Sequence, residues 1–336
     1  MTAFVSTGGL PPADRVRSLV VEAYERFGTE RDGAVSTVYP ALARVDPALF
    51  GICVVSTRGE IFGVGDDEVA FTIMSVAKPF VFALVCAAIG AADVQRLVGV
   101  NATGLPFNSL TAVEQSADGR TNPMVNPGAI ATTSLMPGTT AEEQWRSISD
   151  GLSRFAGRPL PVDEEVYASA TATNHRNRGI ARLLEDRGCL HGDPEEAVDL
   201  YTRQSSLSVT AHDLAVMGAT LADGGVNPVT GEQVVDAVSC RHTLAVMASA
   251  GLYETSGDWL YEVGLPGKSG IGGGIVTVSP GKGGLGTFAP RLDAAGNSVR
   301  GQLVARHLAE ELGLDLFLSA PVDPVRGDQQ DAARTT

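Results

Sequence analysis

Apolar positions in residues 12–27 recur at Val16, Leu19, Val20, Ala23, Tyr24 and Phe27, a spacing that predicts an amphipathic helix. A polar link over 28–49 follows, with a short helical piece after Tyr39-Pro40. Residues 50–56 and 60–64 are β-rich runs joined by Thr57-Arg58-Gly59, a hairpin signal. A further strand-like piece, 68–73, leads into an apolar helix beginning near Ser75. Its run over 79–92 is too short to span a bilayer and is expected to be buried in the core. From about 91 to 240 the pattern is mostly helical. Thr140 with Glu143, Asp193 with Pro194, and Thr210 with Asp213 mark helix starts. Gly, Asn and Pro loops at 122–128 and 227–231 interrupt them. Strand character returns at 261–264, 274–279 and 285–289, the last two joined by Pro280-Gly281-Lys282-Gly283-Gly284, and a final helix is expected over 298–312.

Strands near both ends and helices between them imply an α+β fold. One antiparallel sheet is built from both chain ends and flanked by helices, with a helical domain inserted. The expected division is a flexible arm over 1–11, a sheet domain over 12–90 and 241–318, a helical domain over 91–240, and a disordered tail over 319–336.

Composition narrows the function. The chain has 336 residues, 44% hydrophobic and 19% charged, which reads as globular with ample core. Its net charge of −14 argues against nucleic acid and against anionic membrane surfaces as partners. Cys53, Cys86, Cys189 and Cys240 lack C-x-x-C spacing and read as buried free thiols in a reducing cytosol. The first residues carry no basic-then-apolar leader, so a cytoplasmic location is expected.

Candidate chemistry sits at Ser75-Val76-Ala77-Lys78. On a helix, positions three apart share a face, which puts the Ser75 hydroxyl beside the Lys78 amine. A serine needs a neighbouring base to attack, and a lysine becomes one only when burial or positive neighbours lower its pKa. The apolar surroundings supply that burial. Pro79 suits a first helical turn and places Ser75 where free backbone N–H groups favour negative charge. The second dense stretch is 264–274, Gly-rich around Lys268-Ser269-Gly270. A phosphate-binding loop would need glycine where Glu262 stands, and a strand rather than a helix follows, which also excludes a dinucleotide loop. A Lys-Ser-Gly triad on a strand edge remains. It is the counterpart of the Lys-Thr-Gly that accompanies Ser-x-x-Lys in penicillin-binding proteins and serine β-lactamases.

Over about residues 12–315 the chain resembles the serine-dependent glutaminases, which share the β-lactamase-like fold. The matching text is Ser75-Val76-Ala77-Lys78, Asn122-Pro123-Met124-Val125-Asn126, Arg176-Asn177, the Ala219 to Gly225 stretch, Gly251-Leu252-Tyr253, and Gly264-Leu265-Pro266 into Lys268-Ser269-Gly270. The resemblance implies hydrolysis of L-glutamine to L-glutamate and ammonia through an acyl-serine, with no metal or organic cofactor, in a homodimer or homotetramer. It implies that Ser75 attacks, Lys78 takes its proton and Tyr253 assists proton transfer. It also implies that backbone N–H groups of Ser75 and Ile271 form the oxyanion hole, that Asn126, Asn177 and Tyr201 hold the substrate, and that Lys268 supports the site electrostatically.

The chain departs from that pattern at five places. Ala170 stands where the family has a Glu that pairs with the substrate α-ammonium. Val38 stands for a substrate-contacting tyrosine, with Tyr39 one place later. Met74, Pro127 and Ser205 replace Gln, a small residue and Cys. These departures keep open an amidohydrolase for another carboxamide, a non-catalytic paralogue, and a penicillin-recognising hydrolase.

Overall fold

A computed structural model describes residues 8–319; most of the expected arm and all but the first residue of the expected tail lie outside that range. The chain opens with α1 (Ala13–Phe27), then a 3-10 turn (Leu42–Arg44) after Tyr39-Pro40. The hairpin β1 (Gly51–Ser56) and β2 (Ile61–Gly65) follows. The expected strand over 68–73 shrinks to the two-residue β3 (Phe71–Thr72). A 3-10 turn (Met74–Val76) carries Ser75 and runs into α2 (Ala77–Ile89).

The helical middle contains α3 (Ala91–Val98), α4 (Leu110–Gln115), α5 (Asn126–Thr133), α6 (Ala141–Ala156), α7 (Glu164–Thr173), α8 (His175–Asp186) and α9 (Pro194–Ser205). A short β4 (Ser208–Val209), which the sequence pattern did not mark, pairs with β3 in a separate two-stranded ladder. Then come α10 (Ala211–Ala222), α11 (Ala237–Ala250) and α12 (Ser256–Val263), followed by β5 (Gly267–Ser269), β6 (Gly274–Ser279), β7 (Gly283–Phe288) and α13 (Val299–Glu311). The three expected helix starts are capped, but the capping box expected at Thr140 and Glu143 is half formed, because the Glu143 carboxylate accepts from Thr139 N instead of Thr140 N. Thr140 accepts from Glu143 N, Asp193 from Glu195 and Glu196 N, and Thr210 and Asp213 form a reciprocal capping box.

The main sheet has the order β2-β1-β7-β6-β5 with every pair antiparallel, so its strands come from both ends of the described chain. Both faces are covered, and alternate residues serve different layers. Ile52, Val54, Ile275 and Leu285 pack with Val16, Val20, Val304 and Leu308 of α1 and α13. Cys53 and Val55 face Ala215, Val216 and Ala219 of α10. The glycines of β7 follow from that second layer. A Cβ on Gly286 would stand 2.0 Å from Ala211 O, and one on Gly284 2.3 Å from Ala215 O, so α10 lies directly on the strand backbone.

One expected strand is a helix. Residues 261–264 end α12, which buries Trp259 and Val263 one turn apart and leaves Tyr261 exposed; Gly264 closes it with φ 68°. Four residues rich in Tyr and Val carry strand propensity, but a helical face overrides it. The strand lies three residues further on, at β5, and holds Lys268 and Ser269.

Candidate active site

The site forms where two distant stretches of chain meet. The loop after β5 runs against the turn that carries Ser75. A Cβ on Gly270 would come 3.0 Å from Ile73 O and 3.3 Å from Ser75 N, and one on Gly272 2.5 Å from Thr72 O. Glycine at these positions lets the Lys-Ser-Gly edge lie against the nucleophile's backbone. Among the described residues, Met74 (φ 48°) and Tyr253 (φ 58°) are the non-glycine residues with positive φ. Each conformation costs about 1–2 kcal/mol. One immediately precedes Ser75 and the other carries a phenol that reaches it, so backbone strain is concentrated here.

Ser75, Asn126, Asn177, Tyr201 and Ile271 line one cavity of about 90 Å³. Lys78, Tyr253 and Lys268 are buried beside it. The Ser75 side chain interacts with the phenols of both Tyr253 and Tyr201. Lys78, 2% exposed on α2, donates to Asn126 Oδ1 at 2.7 Å and Met124 O at 3.4 Å. Asn126 Oδ1 also accepts from the Tyr201 hydroxyl at 3.0 Å, and Asn126 Nδ2 donates to Asn177 Oδ1 at 3.0 Å. Lys268 and Tyr253 both donate to Ser269 O, at 2.7 and 3.2 Å, and the Lys268 amine lies 4.1 Å from the Tyr253 ring centroid. Ser269 is held in turn by Asn297 Oδ1 at 2.5 Å.

Burial sets the protonation states. It lowers the Lys78 pKa to about 7, because the charged amine loses its hydration and no carboxylate compensates. It also lowers Lys268 well below the usual amine value, with the positive charge of Lys78 adding to the effect. Lys268 therefore serves as a donor packed against the Tyr253 ring, its positive charge disfavoured. Burial raises Tyr253 to about 12 and Tyr201 well above the usual phenol value, so both keep their protons. A neutral amine has two hydrogens and one lone pair. Asn126 and Met124 take the hydrogens, which leaves the Lys78 lone pair free to accept.

The departures from the family pattern cluster here. Val38, Met74, Ala170 and Ser205 all line the cavity. Glu165 pairs with Arg44 on the surface, and neither it nor Glu164 lines the cavity, so no carboxylate on that segment takes the place vacated at Ala170. The fold also brings in residues that motif reading did not single out for the site. Tyr39 interacts with Asn177 from within the cavity wall. Phe107 covers the Tyr253 ring with centroids 4.8 Å apart, and Asn174 joins Asn177 at the start of α8.

Comparison with known proteins agrees with the site. The glutaminase family model matches residues 33–317. Glutaminase 2 of Yersinia pestis is 66% identical over 318 residues, which cover 95% of this chain and 94% of that protein. A glutaminase of Colwellia psychrerythraea is 44% identical over 91% of this chain and 99% of its own length. The solved structure of the probable glutaminase ybaS superposes with a TM-score of 0.90 at 42% identity, covering 92% of this chain and all of that one. Among the serine hydrolases that share Ser-x-x-Lys on this fold, the chain belongs to the glutaminase family.

Proposed function

We propose that Ser75 carries glutamine hydrolysis in this chain as a covalent nucleophile, with neutral Lys78 as its base. What supports this most is that Lys78 is fully buried three residues from the serine, with its amine held by Asn126 Oδ1 and Met124 O, and that burial lowers its pKa to about 7. The Ser75 hydroxyl gives its proton to Lys78 Nζ as Oγ bonds to the carboxamide carbon of L-glutamine. The carbonyl oxygen gains negative charge, which the backbone N–H groups of Ser75 and Ile271 stabilise. The C–N bond then breaks, and the leaving nitrogen takes a proton from Lys78 or from the Tyr253 hydroxyl and departs as ammonia. Water attacks the glutamyl ester by the same route in reverse and releases L-glutamate. Asn126, Asn177 and Tyr201 orient the substrate through the network they already form.

The expected location is cytoplasmic, a reading supported by four buried cysteines that form no disulfide. A homodimer or homotetramer is the expected assembly, on the resemblance to other glutaminases. One observation favours a second reading, an amidohydrolase for a different carboxamide: among the described residues, no Asp or Glu lines the cavity. Ammonia release from L-glutamine by the purified protein, beside Ser75→Ala, tests the primary reading. Turnover that vanishes in the variant supports it. Turnover that survives in the variant, or none in the wild type, overturns it.

A further inference from the structure

We propose that Asn174 Oδ1 is the acceptor for the α-ammonium group of the substrate, an inference that rests on the glutamine reading above. L-glutamine enters as a zwitterion, and an ammonium group taken into a cavity needs acceptors there. The one charged side chain among the lining residues is Arg176, a cation suited to the α-carboxylate. The acceptor for the ammonium is therefore neutral. Four asparagines line the cavity; Asn108 is only half-buried, and the three buried amides divide clearly. Asn126 Oδ1 already accepts from Lys78 and Tyr201, and Asn177 Oδ1 accepts from Asn126. Asn174 Oδ1 is buried and has no partner, although the residue, 5% exposed, lines the cavity.

Its orientation is fixed by the neighbour. Thr202 Oγ1 donates its only hydrogen to Val198 O at 2.7 Å, so it can only accept from Asn174, whose Nδ2 lies at 3.0 Å. While the hydroxyl keeps that bond, turning the amide over would set two acceptors face to face. The oxygen is consequently the atom left over. Asn174 also holds the N-cap position of α8, where an Asn oxygen ordinarily accepts from the helix's own N–H groups, yet its side chain makes no such bond. Neither the helix nor the surrounding fold uses this acceptor. Ala170 lies four residues earlier, one helical turn away along α7, so Asn174 stands beside the position that lacks a carboxylate.

Steady-state kinetics with L-glutamine and with glutaramate, the same amide chain without the α-amino group, tests the proposal. The wild type is expected to prefer glutamine. Asn174→Ala is expected to raise KM for glutamine on the order of ten- to hundredfold more than KM for glutaramate, the usual range for a hydrogen bond to a charged group. Asn174→Asp is expected to lower KM for glutamine, and it decides the matter should the alanine variant not fold. Equal effects on both substrates, or none on either, would overturn the role of Asn174 while leaving the serine chemistry standing. A wild type that turns over glutaramate but not glutamine overturns the proposal together with the glutamine reading, and inertness toward both overturns the hydrolase itself.

Discussion

Two sides of the cavity differ in how far their polar groups are satisfied without substrate. On the side built by α2, α5, α9 and β5, buried polar groups bind one another. Lys78 and Tyr201 hold Asn126, Lys268 and Tyr253 hold Ser269 O, and Ser269 holds Asn297. On the side built by residues 38–39, the end of α7 and the start of α8, Val38 and Ala170 present apolar groups and Asn174 keeps an acceptor unused. Under the proposed mechanism the first side is preorganised, because its donors and the proposed base, Lys78, are in place before any substrate arrives. The second side is completed by what binds there. On this account the bond-breaking step rests on the first side and recognition of the substrate's α-ammonium on the second, so those two can be separated by mutation.

The largest effect is expected at the nucleophile. Ser75→Ala should lower kcat by roughly 10⁴-fold or more, as loss of a catalytic nucleophile does, with the circular dichroism spectrum unchanged. Lys78→Met should follow at about 10²- to 10⁴-fold, the range for a positioned general base, read by the same ammonia assay. The wild-type pH profile sharpens this. The reactive amine is the neutral one and burial has lowered its pKa to about 7. Rate should therefore fall about tenfold per pH unit below that value, where Lys78 binds a proton, and level off above it. Tyr253→Phe should cost about 10- to 100-fold in kcat, since it removes one proton donor while Ser75 and Lys78 remain. The smallest effect belongs to the other side. Ala170→Glu should lower KM for glutamine by about tenfold with kcat little changed, at a loss of thermal stability from burying a carboxylate on α7. A large fall in kcat for Ala170→Glu would break the separation between the two sides.

The fold was legible where a local rule fixes geometry. The antiparallel sheet followed from β-rich runs at both ends of the pattern. Helical spacing singled out Ser75 and Lys78, although Ser75 lies in the 3-10 turn that leads into α2 and not on the helix itself. The strand expected over 261–264 failed because four residues are too few to show the Trp259–Val263 helical face. The two-residue β3 and β4 exist by pairing across more than a hundred positions, which no local window shows. The recognition side was the least legible. Val38 looks like a lost tyrosine in a linear comparison, yet Tyr39 beside it reaches Asn177 in space. Asn174 reads as an ordinary polar residue between two helices. Only the burial of its oxygen and the direction of the Thr202 hydroxyl mark it out. Gly270 likewise reads as loop composition until the backbone of Ser75 is found against it.

The covalent intermediate on Ser75 is the central claim. Rapid acid quench of the protein with L-glutamine, followed by peptide mass mapping, tests it most directly. The expected result is one glutamyl group on the peptide that contains Ser75, absent in Ser75→Ala. Ammonia release with no glutamyl adduct under burst conditions, or an adduct on the peptide of Ser205, Ser206 or Ser269 instead, would contradict it.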